Sequence, residues 1–490
     1  MSAAVVGPAW TAGPDGRYPG RFPLAVERHA MAQVAHLIPG ITTVTAHARY
    51  YTLHTAVFAE ARARDLDLDE TRRLLRRAEV VMGSISLVHR NADPQAHEGM
   101  RAPHGSDHIS PRIAGGADID ALSADGGYAQ AKWGFWNPYL ASELGMGLLA
   151  TEGNRTVPGP KADVDALRAG FDELFALAGR ANVTTQELTD AAPLCICQGS
   201  TSPDGRMLRR VLIPDSSEPM HDDDRRAQTL RMLLRLTSMA ADAETPKLDR
   251  LLVFGDGSDS HLGALDVAQA WTGVVLRNFT VAGWRNLWKH LLEAIEGFMR
   301  IDALGEAFAG SLPTGTVQSF VESRPDGMDA TGPRPAEFSS ELADLGPLER
   351  AMSQLVIGAG RYGHLDERAQ AYFEAQGTEE FQQLTPSWLQ ARLAEWADRP
   401  LRDFAIWLTD QLVARAERVA LMKASFDVKS GLFRVPTRVF VRDGFLFKDS
   451  DDSGGGVALR WGSALQIMGG VGLVERQAGQ WAVTEEGSAA

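Results

Sequence analysis

The chain has 490 residues, of which 44% are hydrophobic and 23% charged, and a net charge of −14. That is ordinary globular composition with material for about two to four domains, which excludes global disorder. It also excludes a surface that tracks a phosphate backbone over its whole extent, while leaving room for a local basic face.

Neither a run of roughly 18 apolar residues nor a basic region followed by an apolar core is found, so neither a membrane-crossing helix nor a secretory signal is expected. The two cysteines, Cys195 and Cys197, are too few for a disulfide framework and fit a reducing, cytoplasmic setting.

In chain order, residues 1–20 carry Gly-Pro and Pro-Gly pairs and read as an extended arm. Helical periodicity starts near Phe22 and stops at Pro39-Gly40, and a second stripe of Val44, Tyr51, Leu53, Val57 and Phe58 predicts a helix over 43–64. Asp69 and Glu70 open a third helix with Leu74, Leu75, Ala78, Val81 and Met82 inward. Residues 89–127 read as a long loop.

Helices are predicted near 141, over 163–180, from Thr185, over 225–241 and over 264–299. The Pro-, Gly- and Ser-rich stretch 311–345 reads as a linker. Further helices follow near 346–360, 364–376, 385–397 and 401–424. The texture then turns β-rich, and Asp443-Gly444 between LFRVPTRVFVR and FLFK is the best hairpin signal in the chain. A short helix over 458–471 and two strands, GLVER and WAVTEEG, complete it.

Residues 411–448 hold eight basic and three acidic residues, a local excess of +5. The basic ones are Arg415, Arg418, Lys423, Lys429, Arg434, Arg438, Arg442 and Lys448. Arg434, Arg438 and Arg442 share one strand face, with Phe433, Phe440 and Phe445 interleaved. Such a pattern binds phosphates with some base stacking, or is a solvated face.

His221-Asp222-Asp223-Asp224 reads as a helix cap, and the Asp/Gly/Ser loop from Phe254 to His261 as a turn. His89, His97, His104 and His108 lack zinc-finger spacing, and Cys195 and Cys197, one residue apart in LCIC, read as small hydrophobes. No ligand set with zinc-like spacing is seen, so no bound metal and no cofactor are expected. GxSxG and HExxH are absent, which lowers the expectation of an enzyme.

The run from the 458–471 helix through Gly472–Arg476 and Trp481–Gly487 resembles the end of a bacterial winged-helix domain, which implies a recognition helix followed by a wing. There Arg460 and Arg476 would assist Arg434, Arg438, Arg442 and Lys448 on DNA. The segments Ile41-Thr42-Thr43, His47-Ala48-Arg49-Tyr50-Tyr51, Arg77-Ala78-Glu79-Val80-Val81, Leu144-Gly145-Met146-Gly147-Leu148 and Leu167-Arg168 with Phe171 resemble helical proteins of bacterial antiviral defence islands. That resemblance implies a subunit working beside a helicase, nuclease or ATPase, and no catalytic residues.

The expectation is therefore a mainly α-helical chain with a C-terminal α+β winged-helix-like domain. Its parts are an arm (1–20), a helical region (21–310), a linker (311–345), a second helical region (346–425) and the winged-helix-like module (426–490). The expected function is that of a non-enzymatic subunit of a multi-protein defence system, binding partner proteins and double-stranded DNA. The alternatives are a metal-dependent nuclease or hydrolase built on Asp222, Asp224, Asp256, Asp259 and His261, and a winged-helix transcriptional regulator.

Overall fold

A computed structural model describes residues 10–11, 20–214, 221–240, 245–255, 266–330, 332–374 and 384–490. The chain is mostly helical, with small two- and three-stranded sheets. It divides into two compact units. The first is built mainly from Gln269–Val457 with the segment that ends at Gln33, the second from Val34–Leu252 with Ala458–Ala490. The region expected as one C-terminal module, 426–490, is thus shared between the two units. No helix among the described residues is long and apolar enough to cross a membrane.

The second unit is organised around the helix Ala48–Ala63, which is buried almost all round from Ala48 to Ala59. A helix in that position lies inside the core, and any charge on it must be matched there. Arg49, 1% exposed, is held by Asp204, 0% exposed, at 3.0 and 3.2 Å. Its remaining N–H groups reach the carbonyls of Pro193 at 3.0 Å and Cys195 at 2.9 Å, and Thr52 donates to Asp204 at 2.8 Å.

One turn on, His54 lies between two carboxylates, Glu143 at 2.7 Å and Glu79 at 2.9 Å. Both ring nitrogens face carboxylate oxygens, an arrangement that favours the imidazolium. Burial pulls His54 down, but the charges and hydrogen bonds of Glu143 and Glu79 outweigh it and push the group up to about 9. Glu79 also accepts from the Tyr128 hydroxyl and the Phe135 backbone N–H, and Glu143 accepts from the Trp136 indole at 3.0 Å.

The helix Leu68–Ala92 packs against Ala48–Ala63 and supplies Glu79. It begins one residue after Asp67, whose carboxylate accepts from Glu70 N–H at 2.8 Å while Glu70 accepts from Asp67 N–H at 2.9 Å. Tyr51, from the predicted stripe, and its neighbour Tyr50 are fully buried. The helix expected from Thr185 spans Thr185–Asp190, with Thr184 as its cap.

In the first unit the helices Asp266–Glu293, Ile301–Gly310, Pro347–Gly360, Pro386–Glu395 and Leu401–Met422 surround a core that includes Trp284, Trp288, Phe308, Leu355 and Phe404. The 311–345 stretch, expected to be an exposed linker, is folded into this unit. Thr316 caps the short helix Val317–Glu322, and Val317 and Phe320 belong to the core. Arg361, 0% exposed, pairs with Glu337 and donates to the carbonyls of Gly327 at 3.2 Å and Arg334 at 2.7 Å. The Pro, Gly and Ser residues serve short turns that a buried arginine ties down.

Two outcomes follow for the core. Asp204→Ala strands the Arg49 guanidinium without its counter-charge and is expected to cost about 3–5 kcal/mol in denaturant unfolding; a loss below about 1 kcal/mol would contradict a central role for the pair. His54 is held up to about 9 when folded, against an ordinary 6.5. Its contribution is complete below pH 6.5 and is lost as the pH climbs through 9. Unfolding free energy is expected to fall over that window in the wild type, and His54→Gln to abolish that slope; equal slopes would contradict it.

Candidate functional site

The hairpin predicted at Asp443-Gly444 forms, with Val439–Arg442 pairing to Phe445–Lys448. Asp443 and Gly444 both have positive φ, 53° and 80°, as a type I′ turn requires. A third strand, Phe298–Arg300, pairs antiparallel with Phe445–Lys448. Sequence periodicity predicts a helix through 299, but the chain departs from it here. The helix stops at Glu293, and Gly297 at φ 57° turns the chain into the strand. The alternation Phe298-Met299-Arg300-Ile301 is the only local trace of this.

Because side chains alternate across a strand, this sheet has two unlike faces. Val439 and Leu446 belong to the core, with Met299 and Val441 packed against it. The other face carries Phe298, Phe447 and Phe440 in one cross-strand row, and Arg300, Phe445 and Arg442 in the next. Phe298 is 77% and Phe445 40% exposed. The Phe298 and Phe447 rings lie 5.3 Å apart, and the Arg300 guanidinium lies 5.7 Å over the Phe445 ring. Four phenylalanines with Arg442 and Asp443 line an open concavity of about 420 Å³. Arg300 is held by Asp302 at 2.9 Å and Arg442 lies 3.6 Å from Asp443, so each cation on this face has a carboxylate beside it.

In the second unit, His89 at the last turn of Leu68–Ala92 and His97 in the turn after it meet Cys195 and Cys197. His89 Nδ1 and His97 Nε2 are 3.1 Å apart, Cys195 Sγ is 3.3 Å from His97 Nε2, Cys197 Sγ is 3.4 Å from His89 Nδ1, and the sulfurs are 3.3 Å apart. The hydrogen bond from the Cys197 thiol pulls the Cys195 thiol down to about 4, against its burial and with help from His97. The same contact, with burial, pushes Cys197 up. The expectation that the cysteines are only small hydrophobes and that no metal-ligand set exists is thereby revised. It weighed ligands close in sequence, whereas these meet across about a hundred residues. His104, also in that histidine-rich loop, goes elsewhere and bonds Tyr139 at 3.0 Å.

The basic residues expected to contact DNA are mostly committed within the protein. Arg415 donates to Leu24 O at 2.6 Å, and Lys423 donates to Arg21 O at 2.7 Å and Phe22 O at 2.9 Å. Arg434 pairs with Asp427 at 2.8 Å, Arg438 with Asp452 at 3.2 Å and Lys448 with Asp451 at 3.1 Å. Arg438 also donates to Gly20 O at 3.0 Å. Counting Asp449, Asp451 and Asp452 lowers the local excess from +5 to +2. Arg418 is exposed on its helix, and Arg442 is 92% exposed.

In the second unit, Arg460 donates to Ile41 O at 2.9 Å, and Arg476 lies 4.5 Å over Trp481. The helix Trp461–Gly470 and the hairpin Val474–Gln477 with Gln480–Val483 lie within the expected stretches, but the second strand ends at Val483 and Glu485–Ala489 is helical. That helix buries Trp461, Ala464, Leu465, Ile467 and Met468.

The helix expected from Arg225 starts at His221, so Asp222, Asp223 and Asp224 lie inside its first turn. Asp222 pairs with Arg225, Asp223 with Lys161 and Arg226, and Asp224 accepts from Gln228 at 2.8 Å. Asp256, Asp259 and His261 lie outside the described residues.

Asp452 is 4% exposed, and Arg438 is its nearest cation. Arg438→Ala is therefore expected to cost about 1–3 kcal/mol of stability and to leave the salt dependence of any DNA binding unchanged. A flattened salt slope at unaltered stability would restore Arg438 as a phosphate contact. Compared with known protein families, curated proteins and solved structures, the chain matches none.

Proposed function

We propose that the chain is a non-catalytic, partner-binding subunit of a bacterial defence assembly, and that the phenylalanine face of the 298–300/439–448 sheet is where a partner protein docks. The defence setting rests on the resemblance of the Ile41–Tyr51 and Arg77–Val81 segments. The docking role rests on one observation: a sheet with one face in the core and the other presenting Phe298, Phe440, Phe445 and Phe447. Contiguous exposed aromatic surface with a polar rim is the usual mark of an interaction site, and aromatics with Arg are the side chains most often found as binding anchors.

The charge pattern favours protein over nucleic acid. Phosphate binding draws most of its strength from unpaired cations, and both arginines here have carboxylates beside them. The transcriptional-regulator alternative fits less well, because the candidate recognition helix spends its apolar residues inside its own unit and Arg460 on Ile41.

The test is co-expression with the products of the genes that flank the chain's own gene, comparing wild type with Phe298→Ser/Phe445→Ser by size-exclusion co-elution. Both residues are exposed, so the melting temperature is expected to stay put, while binding weakens by about 2 kcal/mol or more for each anchor lost. Undiminished co-elution would contradict the proposal. Loss of single-stranded oligonucleotide binding in the double variant, with partner binding intact, would make the face a base-stacking platform instead.

A further inference from the structure

We infer that His89, His97, Cys195 and Cys197 form a structural zinc site. Zinc bound at about 2.3 Å to sulfur and about 2.0–2.1 Å to nitrogen in a tetrahedron sets donor separations near 3.8 Å between sulfurs, 3.6 Å between sulfur and nitrogen and 3.3 Å between nitrogens. The separations here are 3.3, 3.3 and 3.4, and 3.1 Å, and all four donors lie within 4.8 Å of one another. Binding would open these four separations by a few tenths of an ångström, and the other two sulfur–nitrogen pairs lie within 4.8 Å. Two thiolates balance the charge of the ion, and two sulfurs with two imidazoles at tetrahedral spacing are a donor set that selects zinc.

The surroundings hold the ligands in place. Cys195 and His97 are buried, at 0% and 2% exposure. The Cys195 carbonyl accepts from Arg49 at 2.9 Å, and Ile196 N–H donates to Ser86 Oγ at 3.1 Å, so the backbone on both sides of the first thiol is fixed to the two central helices. Gln198 Nε2 lies 3.4 Å from Cys197 Sγ, where its N–H supports a thiolate. His97 turns Nε2 to Cys195 Sγ, while its Nδ1 is buried without a hydrogen-bond partner.

Four protein ligands complete the shell, so the ion has no position for substrate and is structural. It clips the end of Leu68–Ala92 to the 192–200 segment, across a sequence separation of 98 residues between His97 and Cys195. Clips across long loops restrict the unfolded chain most.

The experiment uses the full chain without a histidine tag. Zinc is quantified after purification, and the chelated, reduced protein is then titrated with Zn²⁺ and with Co²⁺ alone. One zinc per chain is expected, together with the intense visible absorption of tetrahedral, thiolate-bound Co²⁺ and a melting temperature that falls on chelation and recovers with zinc. Cys197→Ser and His97→Gln are expected to lose the ion. Cys197→His keeps a ligand and is expected to bind Co²⁺ with weaker sulfur-to-metal charge transfer, a readout that misfolding does not imitate. The inference is overturned if wild type binds neither ion, if Co²⁺ takes an octahedral spectrum, or if mass analysis of the unreduced chain shows Cys195 and Cys197 joined as a disulfide.

Discussion

A charged helix face buried on all sides is the constraint from which the second unit follows. Ala48–Ala63 carries Arg49 and His54 into the core, and isolated buried charges are unaffordable, so the fold must bring Asp204, Glu79 and Glu143 to them. Those three carboxylates come from three different helices. Satisfying two cations thus fixes how four helices meet.

The consequence reaches beyond the core. After Asp204 is paired, Arg49 still has donors, and they take the carbonyls of Pro193 and Cys195. That places the cysteine pair beside the end of Leu68–Ala92, where His89 emerges and His97 folds back. A buried ion pair and a metal-ligand set are therefore adjacent links of one arrangement. In the first unit a different economy applies. Cations near the Asp443-Gly444 hairpin secure Gly20–Leu24 and the 427–452 carboxylates, leaving phenylalanines as the most distinctive exposed groups on the sheet.

Much of the architecture was legible in the sequence because it is local. The acidic start of Leu68–Ala92, the apolar stripe of Leu401–Met422 and the Asp443-Gly444 turn each depend on residues a few positions apart. What could not be read depends on distant partners. Arg361 converts a Pro- and Gly-rich stretch into folded structure through Glu337. Phe298–Arg300 becomes a strand because the hairpin over 439–448 offers it an edge. The cluster of basic residues at 411–448 looked free because the carbonyls of 21–24 and the carboxylates of 451 and 452 lay outside the window. His89, His97, Cys195 and Cys197 carry no recognisable spacing, since their proximity is set by Arg49 and the helix end.

The most direct measurement is X-ray absorption at the zinc edge of the purified, untagged chain. Two sulfur scatterers at about 2.3 Å and two nitrogen scatterers at about 2.0–2.1 Å, with imidazole multiple scattering, are the predicted shell. An edge without sulfur scatterers, or no zinc at all in chain whose thiols are reduced, would contradict it.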